Sequence, residues 1–157
     1  MMIHPEHCSP TRPSLWYRIR GAHLPVERDG RSFAEHLAEI TGLSPAAALR
    51  LELEYRRFLY LAALTSAPRV PPGLVRVAWS YHAEHEGYGK EFCDWIIGRR
   101  LTFAPTVEAP ARAYAETVAA YLQEFGAEPP AEVWPAPDAL ATLPFRPMTP
   151  ACAPLHV

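Results

Sequence analysis

The chain has 157 residues, 49 % of them hydrophobic and 20 % charged, with a formal net charge of -2. That is the make-up of one soluble globular domain long enough to bury a core. The near-neutral balance argues against a general nucleic-acid binder, which needs a basic stripe, and no apolar run reaches the ~18 residues of a membrane span.

The first residues, MMIHPEHCSPTRP, lack a basic stretch followed by an apolar one, so no secretory signal is expected; residues 1–13 read as an irregular arm. Ser14 is the expected cap of a short helix with Leu15, Trp16 and Ile19 on its apolar side. A loop with an Asp29-Gly30 turn follows. Ser32 with Glu35 three residues on is a capping box, and Phe33, Leu37 and Ile40 then recur at helical spacing up to a stop at Gly42. Ser44-Pro45 opens a third helix to about residue 66, in which Leu49, Leu51, Leu53, Tyr55, Phe58, Leu59, Leu61, Ala62 and Leu64 cover more than one face. Its polar side carries Arg50, Glu54 and Arg57 at ion-pair spacing. Ala67-Pro68 ends it.

The stretch Pro71–Gly98 is free of proline after Pro72 and keeps helical period throughout, which predicts one long helix around which the rest is organised. One stripe is Leu74, Ala78, Tyr81, His85, Tyr88, Phe92 and Trp95; the next is Val75, Trp79, His82, Glu86, Gly89, Cys93 and Ile96. Gly89 inside a helix costs about 1 kcal/mol relative to Ala and leaves room for a neighbour. A last helix over 111–125 has the apolar stripe Tyr114, Val118, Tyr121, Leu122 and Phe125, with Gly126 as its stop. From residue 127 onward eight prolines in 31 residues forbid long helix and central strand alike. The fold class is therefore all-α: a compact bundle of about five helices over 14–135, then a Pro-rich tail over 136–157 that wraps the bundle.

Three readings compete for the long helix. His82 with His85 or Glu86 has helical spacing suited to sharing a divalent cation, but Cys93 lies eleven residues beyond His82, about 16 Å along the axis, too far to join it. His82 polarised by Glu86 would make a general base, with Glu54 or Tyr55 as a third polar group from another helix. The plainest reading is an aromatic-rich core face whose histidines bond to tyrosine or backbone groups. His4, Glu6, His7 and Cys8, with Cys152 or His156, form a weaker metal candidate near the chain ends. No metal or other cofactor is expected. Three cysteines without a CxxC pair read as reduced thiols in a cytoplasmic protein. The arginine excess, 14 against the single Lys90, fits a GC-rich genome or arginine-specific recognition; Arg56-Arg57 and Arg99-Arg100 read as solvated or ion-paired.

Several separated segments, from Leu15 to Trp134, resemble the bacterial stand-alone members of the glycine-rich domain-containing protein family. They are Phe33 with Leu37-Ala38-Glu39; Glu54-Tyr55-Arg56-Arg57-Phe58-Leu59-Tyr60-Leu61; Trp79 and His82; Tyr88 with Phe92-Cys93; Gly98-Arg99; Phe125-Gly126; Pro129-Pro130; and Trp134-Pro135. The resemblance implies an Asp, then a Trp-His-x-His motif, then a later His. Here those positions hold Arg76, Ser80 and Phe103, and only His82 keeps the motif. The resemblance thus implies a shared fold with a degenerate polar site. The function expected is a non-catalytic helical protein-binding or accessory protein, with Trp79, Tyr81, His82, His85, Tyr88 and Arg56 as binding candidates. Trp16, Trp95 and Trp134 extend the aromatic set beyond what a core needs. The alternative is a metal-dependent or acid–base enzyme centred on His82 and Glu86. RNA binding, by analogy to plant relatives, is the least supported.

Overall fold

The computed structural model describes residues 10–103 and 107–137. The terminal cluster of His4, Glu6, His7, Cys8, Cys152 and His156 lies outside the described residues, as does almost all of the expected tail. Every regular element among the described residues is helical: α1 (Pro13–Gly21), α2 (Phe33–Thr41), α3 (Pro45–Ala63), α4 (Gly73–Ala83), a π-helix (Tyr88–Ile97) and α5 (Pro110–Phe125). Among the described residues no helix is long and apolar enough to cross a membrane.

The organising element is α3 rather than the 71–98 stretch. Leu51, Tyr55, Phe58, Leu59, Tyr60 and Leu61 of α3 are completely buried, because α1, α2, α4 and α5 all pack on it. It starts as its sequence dictates, with Ser44 Oγ accepting from Ala47 N–H at 3.2 Å and Pro45 in the first turn. It ends at Ala63, three residues short of expectation, and Leu49 is exposed. Helix α2 has the full capping box, Ser32 Oγ accepting from Glu35 N–H and Glu35 accepting from Ser32 N–H, and stops at Gly42 in the left-handed region. Ile40 shares its apolar stripe but overhangs an open cleft, so it is half-exposed. Helix α1 begins two residues earlier than predicted: Pro13 sets the first turn, Arg12 takes the cap position, and Ser14 makes no capping bond.

The single long helix divides in two. After Ala83 the hydrogen bonds tighten, His85 N–H to His82 O and Tyr88 N–H to His85 O. They then widen to five-residue loops, Phe92 N–H to Gly87 O at 2.9 Å and Gly98 N–H to Cys93 O at 2.8 Å. Gly98, at φ 97°, closes the π-helix. The split removes Glu86 from any helix and separates the two expected stripes. Gly89, expected to let a neighbouring helix approach, faces the Arg100 side chain instead, since a Cβ there would lie 2.8 Å from Arg100 Nη1.

Two buried carboxylates tie the segments flanking the bundle to it. Glu124 accepts from Thr11 N–H at 2.7 Å, Thr11 Oγ1–H at 2.5 Å and the Tyr60 hydroxyl at 2.8 Å. Glu54 accepts from Arg57 Nη1 at 2.9 Å, the Tyr121 hydroxyl at 2.8 Å and the Trp134 indole N–H at 3.0 Å. Glu54 was expected on a polar face with Arg50 and Arg57, yet it is only 3 % exposed, because α5 and Trp134 lie across it; Arg50 pairs instead with Glu132. Leu122, assigned to the α5 apolar stripe, is turned outward and half-exposed.

Candidate functional site

The break between α4 and the π-helix opens a cleft of about 580 Å³. Its floor is His82 with Tyr88 and Phe92; its far wall is the loop from Ala22 to Val26, and His85, Glu86 and Glu91 stand along its side. Chain breaks into π geometry recur at functional sites because they re-aim side chains that a regular helix would stack. Here the break turns His85 and Glu86 out of the α4 register and places them beside His82.

His82 is 2 % exposed. Its Nδ1 lies 2.8 Å from the hydroxyl of Tyr55, which is itself fully buried on α3. Phe33, Tyr55, Tyr88 and Phe92 surround the imidazole edge-on, with ring centroids 4.8–6.0 Å away. Of the two proposed helpers, Tyr55 therefore reaches His82, whereas Glu54, the preceding residue on α3, points to α5 instead. His82 and Glu86 share the cleft, but no hydrogen bond joins them among the described residues.

Burial pushes the His82 imidazole down to about 3, and His85 and Arg56 push the same way. The folded chain thus keeps His82 neutral where the unfolded chain protonates it. Between the ordinary histidine value of 6.5 and about 3 the unfolded state holds one more proton, so stability is fully present above that window and falls with acid inside it. The expected slope is about 1.4 kcal/mol per pH unit. Urea unfolding from about pH 7 to about pH 5 checks it: the midpoint falls in the parent chain and flattens in His82→Gln. A parent midpoint indifferent to acid would contradict the burial.

The other binding candidates divide by burial. Trp79 and Tyr88 are core: the Trp79 indole donates to the Tyr88 hydroxyl at 2.8 Å, which donates to Leu101 O at 2.5 Å. Trp16 and Trp134 are core as well. The idea that these aromatics exceed core needs is therefore corrected, since short helices leave wide gaps that large rings fill. Arg56 is equally occupied, its Nη1 donating to Ile19 O at 2.9 Å and Ala22 O at 2.7 Å at the end of α1. Trp95 differs: it is 65 % exposed. It follows cleft residues Glu91 and Phe92 on the π-helix but does not itself line the cleft.

Sequence reasoning missed Glu27, a loop residue with no periodic signal. Its carboxylate accepts from the Tyr81 hydroxyl and lies 3.6 Å from His36 Nδ1 and 3.9 Å from His85 Nε2. It ties the 22–32 loop to α2 and α4, and so sets the cleft wall. His23, Leu24 and Glu91 were also missed as cleft residues, for no motif joins them.

A second cleft, of about 490 Å³, holds Arg76, Ser80 and Phe103 together with His36, Tyr81 and Glu84. Arg76 lies over the Phe103 ring, 5.2 Å from its centroid. The three positions at which the resemblance implies an Asp and two histidines thus converge, while His82 opens on the other cleft. Among the described residues no group of three or more His, Cys, Asp or Glu is placed to hold a metal ion. The chain matches no family model, no curated protein and no solved structure.

Proposed function

We propose that this chain is a non-catalytic helical binding protein that seats a segment of a protein partner in the His82 cleft. The observation that carries the reading is that open cleft, together with Trp95, an indole left 65 % exposed on the π-helix that supplies part of its lining. Exposed tryptophans beside a concave surface are favoured anchors of interfaces, because one ring supplies a large contact area at small entropic cost. The reading also includes descent from the glycine-rich domain-containing family with loss of its polar site. Convergence of Arg76, Ser80 and Phe103 in one cleft supports that part, since a guanidinium over an apolar ring stands where the resemblance implies ligating or acid–base groups. His82 supports it too: a neutral, ring-enclosed imidazole already bonded to Tyr55 is poorly suited to proton transfer.

Purified from its native host, the chain is expected to retain a stoichiometric protein partner. Trp95→Ala is expected to release it, and Leu49→Ala, at an exposed position on α3, to keep it. Recovery of the bare chain, or equal loss in both variants, would overturn the reading.

A further inference from the structure

The hydrogen-bond state of His82 carries an inference that rests on the binding reading and sharpens it. The Tyr55 hydroxyl is fully buried, and among the described residues its one partner is His82 Nδ1. A buried hydroxyl proton without an acceptor costs about 1–3 kcal/mol. The phenol therefore donates, Nδ1 accepts, and the imidazole proton is placed on Nε2. Nε2 makes no hydrogen bond among the described residues and is not one of their buried unpartnered atoms. Since His82 lines the cleft, Nε2–H is a donor facing it. At the mouth stand Glu86 and Glu91, both exposed. Glu91 folds back over Gly87, where a Cβ would lie 2.8 Å from its Oε2. Among the described residues no arginine or lysine lines the cleft.

We propose that the cleft selects a basic peptide segment: a backbone carbonyl accepts from His82 Nε2–H, an apolar side chain rests on Leu24 and Phe92, and an adjacent arginine or lysine meets Glu86 and Glu91. A carbonyl fits the floor better than a carboxylate or phosphate, because two carboxylates at the mouth repel anions. The volume falls within the ordinary range for ligand sites.

Two magnetic-resonance measurements on the purified chain test this. Long-range nitrogen–proton correlation is expected to show His82 wholly in the Nε2–H tautomer at neutral pH, and Tyr55→Phe to abolish that single-tautomer pattern. A proton on Nδ1 in the parent chain overturns the inference. Titration then compares acetyl-Leu-Arg-amide with its citrulline and glutamate counterparts. The arginine probe is expected to shift the His82 resonances and to bind roughly fivefold tighter than the citrulline probe, an advantage lost in Glu91→Gln. Equal binding of the citrulline probe overturns the charge selection and leaves the binding reading standing. Failure of every probe to perturb His82 overturns the inference, and partner capture through Trp95 then decides the binding reading separately.

Discussion

Replacing Glu54 with alanine is expected to lower stability by about 3–5 kcal/mol, because two buried donors lose their acceptor at about 1–3 kcal/mol each and a partly exposed arginine loses its counter-ion. The carboxylate unites three elements: Arg57 from α3, Tyr121 from α5 and Trp134 from the segment after it. Without it the Arg57 charge loses its counter-ion in a place where its Nε already lacks a partner, and the Tyr121 hydroxyl and Trp134 indole lose their acceptor. Glu54→Gln keeps an oxygen for the two aromatic donors, which share Oε1, but turns its amide NH2 toward Arg57 Nη1 and so gives up that bond with the charge; it is expected to cost less than the alanine variant. Urea unfolding followed by circular dichroism measures both. A loss below about 1 kcal/mol for the alanine variant would mean that Arg57 and both aromatic donors find substitute partners in the bundle.

Trp79→Ala is expected to cost about 3–5 kcal/mol, as other buried tryptophans do. The indole packs on Phe58 and Phe103, with ring centroids 5.0 and 5.1 Å away, and its N–H holds the Tyr88 hydroxyl that reaches Leu101 O. The damage is expected to spread beyond the cavity, because Tyr88 is the first residue of the π-helix. Hydrogen exchange over 88–97 should accelerate more in Trp79→Ala than in Trp79→Phe, which keeps a ring but drops the N–H. Equal exchange in the two variants would show that the indole N–H, and not ring packing, holds the π-helix in place.

Local chemistry was legible wherever a few neighbouring residues decide the outcome. The Ser32–Glu35 box, the Ser44-Pro45 start and the Gly42 and Gly126 stops all form as short-range rules require. The division at Ala83 was not legible, because apolar residues keep recurring at three- and four-residue spacing through it and no proline marks it. Gly87, Gly89 and Gly98 were the available signal, and periodicity outweighed them. Glu54 and Trp79 show the other limit. Arginine neighbours make Glu54 read as solvated, and the abundance of rings makes Trp79 read as surplus, yet elements distant in sequence bury both. Of the cleft, His82, His85, Glu86 and Tyr88 were named from the sequence; the opposing loop, with His23, Leu24 and Glu27, carries no pattern and emerges only when the chain is folded.

Three of the arginines that outnumber lysine so heavily have a common use. Arg56 takes the last carbonyls of α1, Arg99 takes Ala62 O and Thr65 O at the end of α3, and Arg18 takes Ile96 O at the end of the π-helix. The planar fork of guanidinium suits it to such paired acceptors. Each of these helix ends is therefore completed by a side chain from a different element, which ties secondary structure to docking. Beyond its own closing backbone bond, each of these three ends gains a partner for its carbonyls from elsewhere in the chain. The chain is built to fold cooperatively, with few stable fragments on the way, and the amides near those three ends should open together with the whole bundle and not by fraying.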